Sequence, residues 1–319
     1  MNKYLNPQKY LIRVSKLFPK LIGLWEKRMI NKYGKQPLKH QPVFIIGAPR
    51  TGSTILYQVI TNSFDVLYID NLTCNFQNNL FYGFWLSKKL TKHKPHNNFE
   101  SYHGNTQNYG YRAPSECGGY WYRWLPESHH FIDYDEINVK MIEEIKREIT
   151  AVTNYFNKPI IFKNLNAGQR LRLLTQCFPN AKYIFIKRLP LFTAQSIYKS
   201  RLKLNIPKNQ VWGILPKNFK NLEKLDLYQL ITGQIYQLEK QILIDHKLVK
   251  KGNFLTLNYE ELDNLSVLDK IEQFIKANYR QDAIPIDIKN NNKLTLSPEE
   301  EITFKQQINK LDWNTYGLK

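Results

Sequence analysis

The chain has 319 residues, 42% hydrophobic and 13% aromatic, with 46 Lys and Arg against 27 Asp and Glu for a formal net charge of +19. That composition excludes a disordered chain, and the length suffices for one large α/β domain or two small ones. The positive excess implies an anionic partner (a nucleotide, a nucleic acid, an acidic membrane surface, a sulfated or phosphorylated molecule), with a lysine-rich solvated surface as the bland alternative.

Residues 10–30, YLIRVSKLFPKLIGLWEKRMI, are the most apolar stretch near the start. They carry Arg13, Lys16, Lys20, Glu26, Lys27 and Arg28, too many charges for a membrane span or a secretory h-region. Leu11, Val14, Leu17, Phe18, Leu21, Trp25 and Met29 recur near helical spacing, which predicts an amphipathic helix broken at Pro19 and docked on its own domain. Residues 1–36 then form a helical extension of a single domain over 1–319, and the chain reads as cytoplasmic. Three cysteines, Cys74, Cys117 and Cys177, include no CxxC pair, and seven histidines include no H-E-x-x-H. Neither a disulfide framework nor a metal site is expected.

Past the linker PLKHQP (37–42), the apolar run Val43–Ile46 predicts a strand buried on both faces, and 54–61 a helix. VLYI (66–69) reads as a second strand. Residues 71–135 read as irregular, with the aromatic run YWYRW at 120–124. A helix over 139–157 precedes a third strand, PIIFK (159–163), and QRLRLLTQCF (169–178) is helical. AKYIFIK (181–187) is a fourth strand, Pro190 opens a helix, and a long helix covers much of 218–250. NFLTLNY (253–259) is a fifth strand, followed by a helix through 260–278, a polar turn at 290–293 and a last helix over 298–311 capped by Ser297. Strands alternating with helices imply an α/β fold: a central parallel sheet flanked by helices in three layers, with ligands beyond the carboxyl ends of the strands.

The segment VFIIGAPRTGSTIL (43–56) decides the ligand. Gly47 and Gly52 allow a tight turn and the close approach of an anion to backbone N–H groups at a helix start. Thr51, Ser53 and Thr54 add hydroxyls, and Arg50 adds a fixed cation. The spacing is that of a Walker A loop, G-x-x-x-x-G-K-[ST], but its lysine is missing. The later strands end in Lys163-Asn164 and Lys187-Arg188, cations suited to a second anionic group. Asp70 is the one strand-end acid for Mg²⁺, so ATP fits poorly.

GAPRTGST resembles the 5′-phosphosulfate loop of sulfotransferases, usually G-x-P-R-S-G-T-T. YIFIKRLPLFTAQSIY is similar to their 3′-phosphate motif, an arginine followed eight residues later by a serine, here Arg188 and Ser196. FPNAKYIFIKRLP and NFLTLNYEEL also resemble family segments, so the likeness runs from about 42 to 275. Leu189 departs from it, where a polar residue commonly stands. The resemblance implies a P-loop-like fold and 3′-phosphoadenosine 5′-phosphosulfate (PAPS) as sulfuryl donor, with adenosine 3′,5′-bisphosphate as product and no metal. Arg50, Thr51, Gly52, Ser53, Thr54, Arg188 and Ser196 would bind it, and Arg50 would stabilise the leaving phosphate oxygen.

P-S-E-C (114–117) resembles the P-x-E segment of bacterial and tyrosylprotein-type sulfotransferases, which implies Glu116 as general base. Tyr111, Tyr120, Trp121 and Tyr122 around it would desolvate the carboxylate. A salt bridge to Arg112 is the structural alternative, and His103, His129 and His130 are the rival bases. Arg112, Arg123 and YWYRW are expected to line the acceptor pocket, and DYDE (133–136) to form a solvated turn or to contact a cationic acceptor. The expected acceptor is a small molecule or glycan hydroxyl or amine, as in natural-product tailoring, with no nucleic acid and no membrane span involved. The competing readings are a P-loop kinase using ATP and Mg²⁺, and a non-enzymatic basic protein binding nucleic acid or membrane.

Overall fold

A computed structural model describes residues 12–313 except 16, 93, 103, 265, 285–287 and 289–291. Five strands, β1 (Val43–Ile46), β2 (Leu67–Tyr68), β3 (Ile160–Lys163), β4 (Lys182–Lys187) and β5 (Phe254–Asn258), form a parallel sheet in the order β2-β3-β1-β4-β5. The first six helices are α1 (Pro19–Tyr33), α2 (Ser53–Ser63), α3 (Asn71–Cys74), α4 (Leu80–Thr91), α5 (Gly118–Trp121) and α6 (Val139–Phe156). They are followed by α7 (Leu171–Cys177), α8 (Pro190–Lys203), α9 (Phe219–Leu222), α10 (Leu227–Asp245), α11 (Ser266–Ile275) and α12 (Pro298–Asn309).

The period-2 geometry of strands explains the three layers. Phe44 lies opposite Phe162 on β3 and Tyr183 on β4, and its ring stacks on theirs at 5.3 and 5.6 Å. These rings share one core with Ile145 and Ile149 of α6 and Leu174 of α7. The alternate residues Ile45, Ile161 and Ile184 point the other way, onto Leu56 and Ile60 of α2 and Ile271 of α11. The fold is thus the expected α/β sandwich of the P-loop-like class. Central β1 is flanked by β3 and β4, and the chain builds β2 and β3 on one side of it before crossing to β4 and β5 on the other, which leaves a crevice beyond its carboxyl end.

Local signals placed most elements. Pro19 occupies the first turn of α1, after helical residues 12–15, so the expected break is there. Trp25 then packs on Phe81 at 5.6 Å, and the Glu26 carboxylate accepts the Phe81 N–H at 2.7 Å, docking α1 on α4. Burial pushes the Glu26 carboxyl up to about 7. Ser297 and Glu300 form a capping box at α12. The stretch 218–250 divides into α9 and α10, because Asp226 caps the latter by accepting N–H bonds from Tyr228 and Gln229 at 2.9 and 3.0 Å. No described helix is long and apolar enough to cross a membrane. Of the polar turn at 290–293, residues 290 and 291 lie outside the described residues.

Two expectations are corrected. The 71–135 region holds α3, α4 and α5. LFYGFWLSKKLT of α4 is buried at Leu80, Phe81, Gly83, Phe84 and Leu86, round too much of its circumference to show a helical stripe. Cys74 and Cys117 form a disulfide across 43 residues, with Cα atoms 5.6 Å apart. No sequence window announces it, because the pairing depends on α3 and α5 meeting in space. Cys177 is free and buried.

Candidate active site

The loop after β1 is shaped by close contacts at its two glycines. A side chain at Gly47 would strike the carbonyl of Ile186 on β4, and one at Gly52 (φ 85°) would strike the Tyr259 ring. Between them Arg50 has φ 69°, a left-handed conformation uncommon outside glycine. Its side chain turns toward α8, where Nε donates to Ser196 Oγ at 3.0 Å. The Thr51 hydroxyl is fully buried and donates to the Ala48 carbonyl at 2.9 Å, so it fixes the loop from within. Gly52, Ser53 and Thr54 open α2 and face the same cleft as Arg50.

Arg188 leaves the end of β4 and reaches back over this loop. Its Nη1 donates to the Arg50 carbonyl at 3.2 Å, its Nε to Asn292 Oδ1 at 2.8 Å, and its guanidinium lies 4.5 Å from the Tyr259 ring centroid. Asn292 in turn donates to Glu260 at 2.6 Å. Among the described residues neither Arg50 nor Arg188 forms a salt bridge. Burial, then repulsion from Arg188, lowers the Arg50 pKa, and burial lowers that of Arg188. An anion between them would relieve both effects.

Lys163 at the end of β3 supplies the third cation. Its side chain is only 2% exposed, and Nζ donates to Thr54 Oγ1 at 3.0 Å and to Glu116 Oε1. The Glu116 side chain is 41% exposed, so the expected aromatic desolvation is not found: Tyr120 and Trp121 point into the core. Arg112 is not its partner either, since Nη1 of Arg112 donates to the Pro95 carbonyl at 2.6 Å. Cys117, next in sequence, ties Glu116 to α3 through the disulfide.

These groups line one cleft of about 550 Å³, with Arg50, Ser53, Thr54, Arg188 and Ser196 on its wall together with Glu116 and Lys163. Tyr122, His130, Asn166 and Trp212 also face it. His130 Nδ1 accepts the Leu215 N–H at 2.8 Å, which leaves the ring proton on Nε2. Burial, then Arg170 and His129, push its pKa down to about 4. Neutral His130 therefore offers a donor and has its other nitrogen occupied, which removes it as a rival base. His129 pairs with Glu136 at 2.5 Å, half-exposed, and His103 lies outside the described residues.

Several expected residues fall elsewhere. Arg123 salt-bridges Glu148 at 3.0 Å, and of YWYRW only Tyr122 faces the cleft. DYDE is structural: Asp133 and Glu136 form a capping box, and Asp133 pairs with Arg172 and Lys217. Asp70 is buried, its Oδ1 caps α3 through the Thr73 N–H at 2.7 Å, and its Oδ2 accepts from Ser87. Among the described residues no three His, Cys, Asp or Glu groups gather as metal ligands. Two supports of the site escaped sequence reasoning. Tyr259 stands in the family-like NFLTLNYEEL segment, but Asn292 has no local signal.

A model of the sulfotransferase family matches residues 42–280, a span that includes the loop, Glu116, Lys163, Arg188 and Ser196. The chain belongs to the sulfotransferase family. The chain is 22% identical over 257 residues to an omega-hydroxy-beta-dihydromenaquinone-9 sulfotransferase, Stf3, of Mycobacterium bovis and to its counterpart in Mycobacterium tuberculosis. The match covers 76% of this chain, which spans 64% of the length of those relatives. Its fold is like that of the crystal structure of sulfotransferase STF9 from Mycobacterium avium, with a TM-score of 0.50 at 14% identity, covering 91% of this chain and 73% of that one.

Proposed function

We propose that this sulfotransferase uses PAPS as donor and a small-molecule or carbohydrate hydroxyl as acceptor, with Glu116 as general base. The observation that carries the reading is the arrangement of Arg50, Ser196 and Arg188 at the ends of β1 and β4, in the same cleft as Glu116 and Lys163. PAPS carries two anionic ends, and the site has two places for them. The glycine loop and the start of α2, with Ser53, Thr54 and Arg50, suit the 5′-phosphosulfate. Arg188 and Ser196 suit the 3′-phosphate.

In this reading Glu116 takes the proton of the acceptor hydroxyl as its oxygen forms a bond to sulfur. The bond from sulfur to the phosphate oxygen breaks, and its electron pair stays on the departing adenosine 3′,5′-bisphosphate. Arg50 and the loop N–H groups stabilise that oxygen. Lys163, fixed between Thr54 and Glu116, holds the carboxylate beside the loop. Protein cations and dipoles thus take the charge-neutralising part that Mg²⁺ plays in phosphoryl transfer.

The placement in the bacterial and tyrosylprotein-type branch rests on P-S-E-C alone. A single domain over 1–319, with 1–36 as an extension, is supported by α1 docking on α4. A natural-product role is the accompanying reading of the acceptor. The cytoplasmic reading rests on the charged N-terminal segment, and the Cys74–Cys117 disulfide favours an oxidising compartment instead. A thermal-shift comparison of adenosine 3′,5′-bisphosphate with ATP, each with and without Mg²⁺, tests the donor. Metal-independent stabilisation by the bisphosphate supports the reading, and Mg²⁺-dependent stabilisation by ATP alone would sink it. An acceptor screen with labelled PAPS follows.

A further inference from the structure

One further cavity adjoins the cleft on the Glu116 side, and a second adjoins that one. The first, of about 330 Å³, shares Gly104 and Glu116 with the cleft. The second, of about 690 Å³, shares Cys74, Gln77 and Gln107 with the first and ends against Ser15, Pro19 and Ile22 of the N-terminal segment. Cys74 lines both cavities, and its disulfide partner Cys117 lines the inner one beside Glu116.

The lining is unlike the rest of the surface. In a chain with 46 Lys and Arg, neither cavity is lined by a single one among the described residues, and Glu116 is the only carboxylate among the described residues that line them. Primary amides predominate instead. The side chains of Gln77, Asn78 and Gln107 line the outer cavity with no intramolecular hydrogen bond among the described residues, and Gln77 lies flat on the Gly119 backbone.

Resting on the sulfotransferase reading above, we infer that these cavities form an extended acceptor subsite for a neutral, hydroxyl-rich chain, an oligosaccharide whose terminal sugar meets Glu116. A primary amide offers donors and an acceptor together, as a sugar hydroxyl does, so the two match without a net charge. An anionic acceptor would find no cation among the described residues that line either cavity, the first being Lys163, already engaged by Glu116. A long alkyl chain would strip water from amides it cannot replace, at a cost for each unmatched group.

The test uses the full chain, labelled PAPS and three acceptor series. These are neutral glucose oligomers and N-acetylglucosamine oligomers of one to five sugars, straight-chain primary alcohols of rising length, and a sulfated disaccharide. Transfer to neutral oligomers is expected, with kcat/KM rising about tenfold from the single sugar to the longest, on the scale of one or two added hydrogen bonds. In a Gln77→Ala, Asn78→Ala variant the ratio of long to short should fall toward one. Saturation-transfer NMR of the five-sugar oligomers on the Glu116→Gln protein loaded with adenosine 3′,5′-bisphosphate gives a readout free of turnover. The inference is overturned if alcohols gain with length in place of sugars, if the sulfated disaccharide is preferred, or if the ratio survives the double substitution. It is also overturned if no neutral sugar is sulfated or bound although the bisphosphate stabilises the protein. Failure of the bisphosphate itself to bind is a separate result and would remove the parent reading.

Discussion

Arg50 Nε donates to Ser196 Oγ at 3.0 Å, joining the loop after β1 to the helix after β4. Arg188 closes the same join from the other side through the Arg50 carbonyl at 3.2 Å. The loop and the helix that the proposed donor would bridge are thus tied to each other through protein contacts.

Arg188→Ala should weaken binding of adenosine 3′,5′-bisphosphate about tenfold to a hundredfold, the range for lost hydrogen bonds to a charged group. Binding of adenosine 5′-phosphate should change far less. Calorimetric titration of both ligands decides it: equal losses would mean that Arg188 only buttresses the loop.

Glu116→Gln removes the proton acceptor and keeps the shape. Turnover should drop about 10²- to 10⁴-fold while bisphosphate affinity stays nearly intact. Wild-type turnover in the variant would return Glu116 to the rank of a salt-bridge partner of Lys163.

The disulfide sits one residue from Glu116, so it should matter for rate as well as stability. Changing both Cys74 and Cys117 to Ser should cost about 2–5 kcal/mol of stability. It should also lower kcat and leave bisphosphate affinity unchanged, because the donor loop is held from β1, α2 and α8. A fall in nucleotide affinity as large as the fall in kcat would contradict that separation.

Gly52→Ala meets two obstacles, φ of 85° and the Tyr259 ring. The left-handed backbone alone costs about 1–2 kcal/mol. Displacing Tyr259 should also loosen Arg188, so melting temperature and bisphosphate affinity should fall together. A variant with a normal melting curve and normal affinity would show that the ring can step aside.

His96 is buried, with Nε2 2.9 Å from Thr61 Oγ1 and Nδ1 accepting the Asn98 N–H at 3.2 Å, and burial pushes its pKa down to about 4. The folded chain holds it neutral where the unfolded chain protonates it. Its contribution is complete above the ordinary value of 6.5 and is lost as pH falls toward about 4. Between those limits wild type should lose up to about 1.4 kcal/mol per pH unit relative to His96→Gln. Parallel denaturant titrations that keep a constant gap from pH 7 to 4 would rule this out.

The glycine loop and the Arg188–Ser196 pair were legible in the sequence because their parts are local. A buried strand, two glycines, an arginine and a helix start lie within VFIIGAPRTGSTIL, and Arg188 and Ser196 lie within one strand–helix step. The rest of the cleft depends on long-range meetings that no window displays: Lys163 with Glu116, Cys74 with Cys117, Asn292 with Arg188. YWYRW misled because aromatic density marks a core as readily as a pocket, and here only Tyr122 faces the cleft. Helix α4 was hidden by being apolar on too many sides.

Asp70 also bears on what this scaffold can become. Presenting that carboxylate to magnesium would mean surrendering the cap of α3 and the Ser87 hydroxyl, and gripping a triphosphate would need a lysine where Ser53 stands. Neither change helps without the other. With its strand-end aspartate built into the framework, this scaffold stands two coupled changes away from gripping a triphosphate with magnesium.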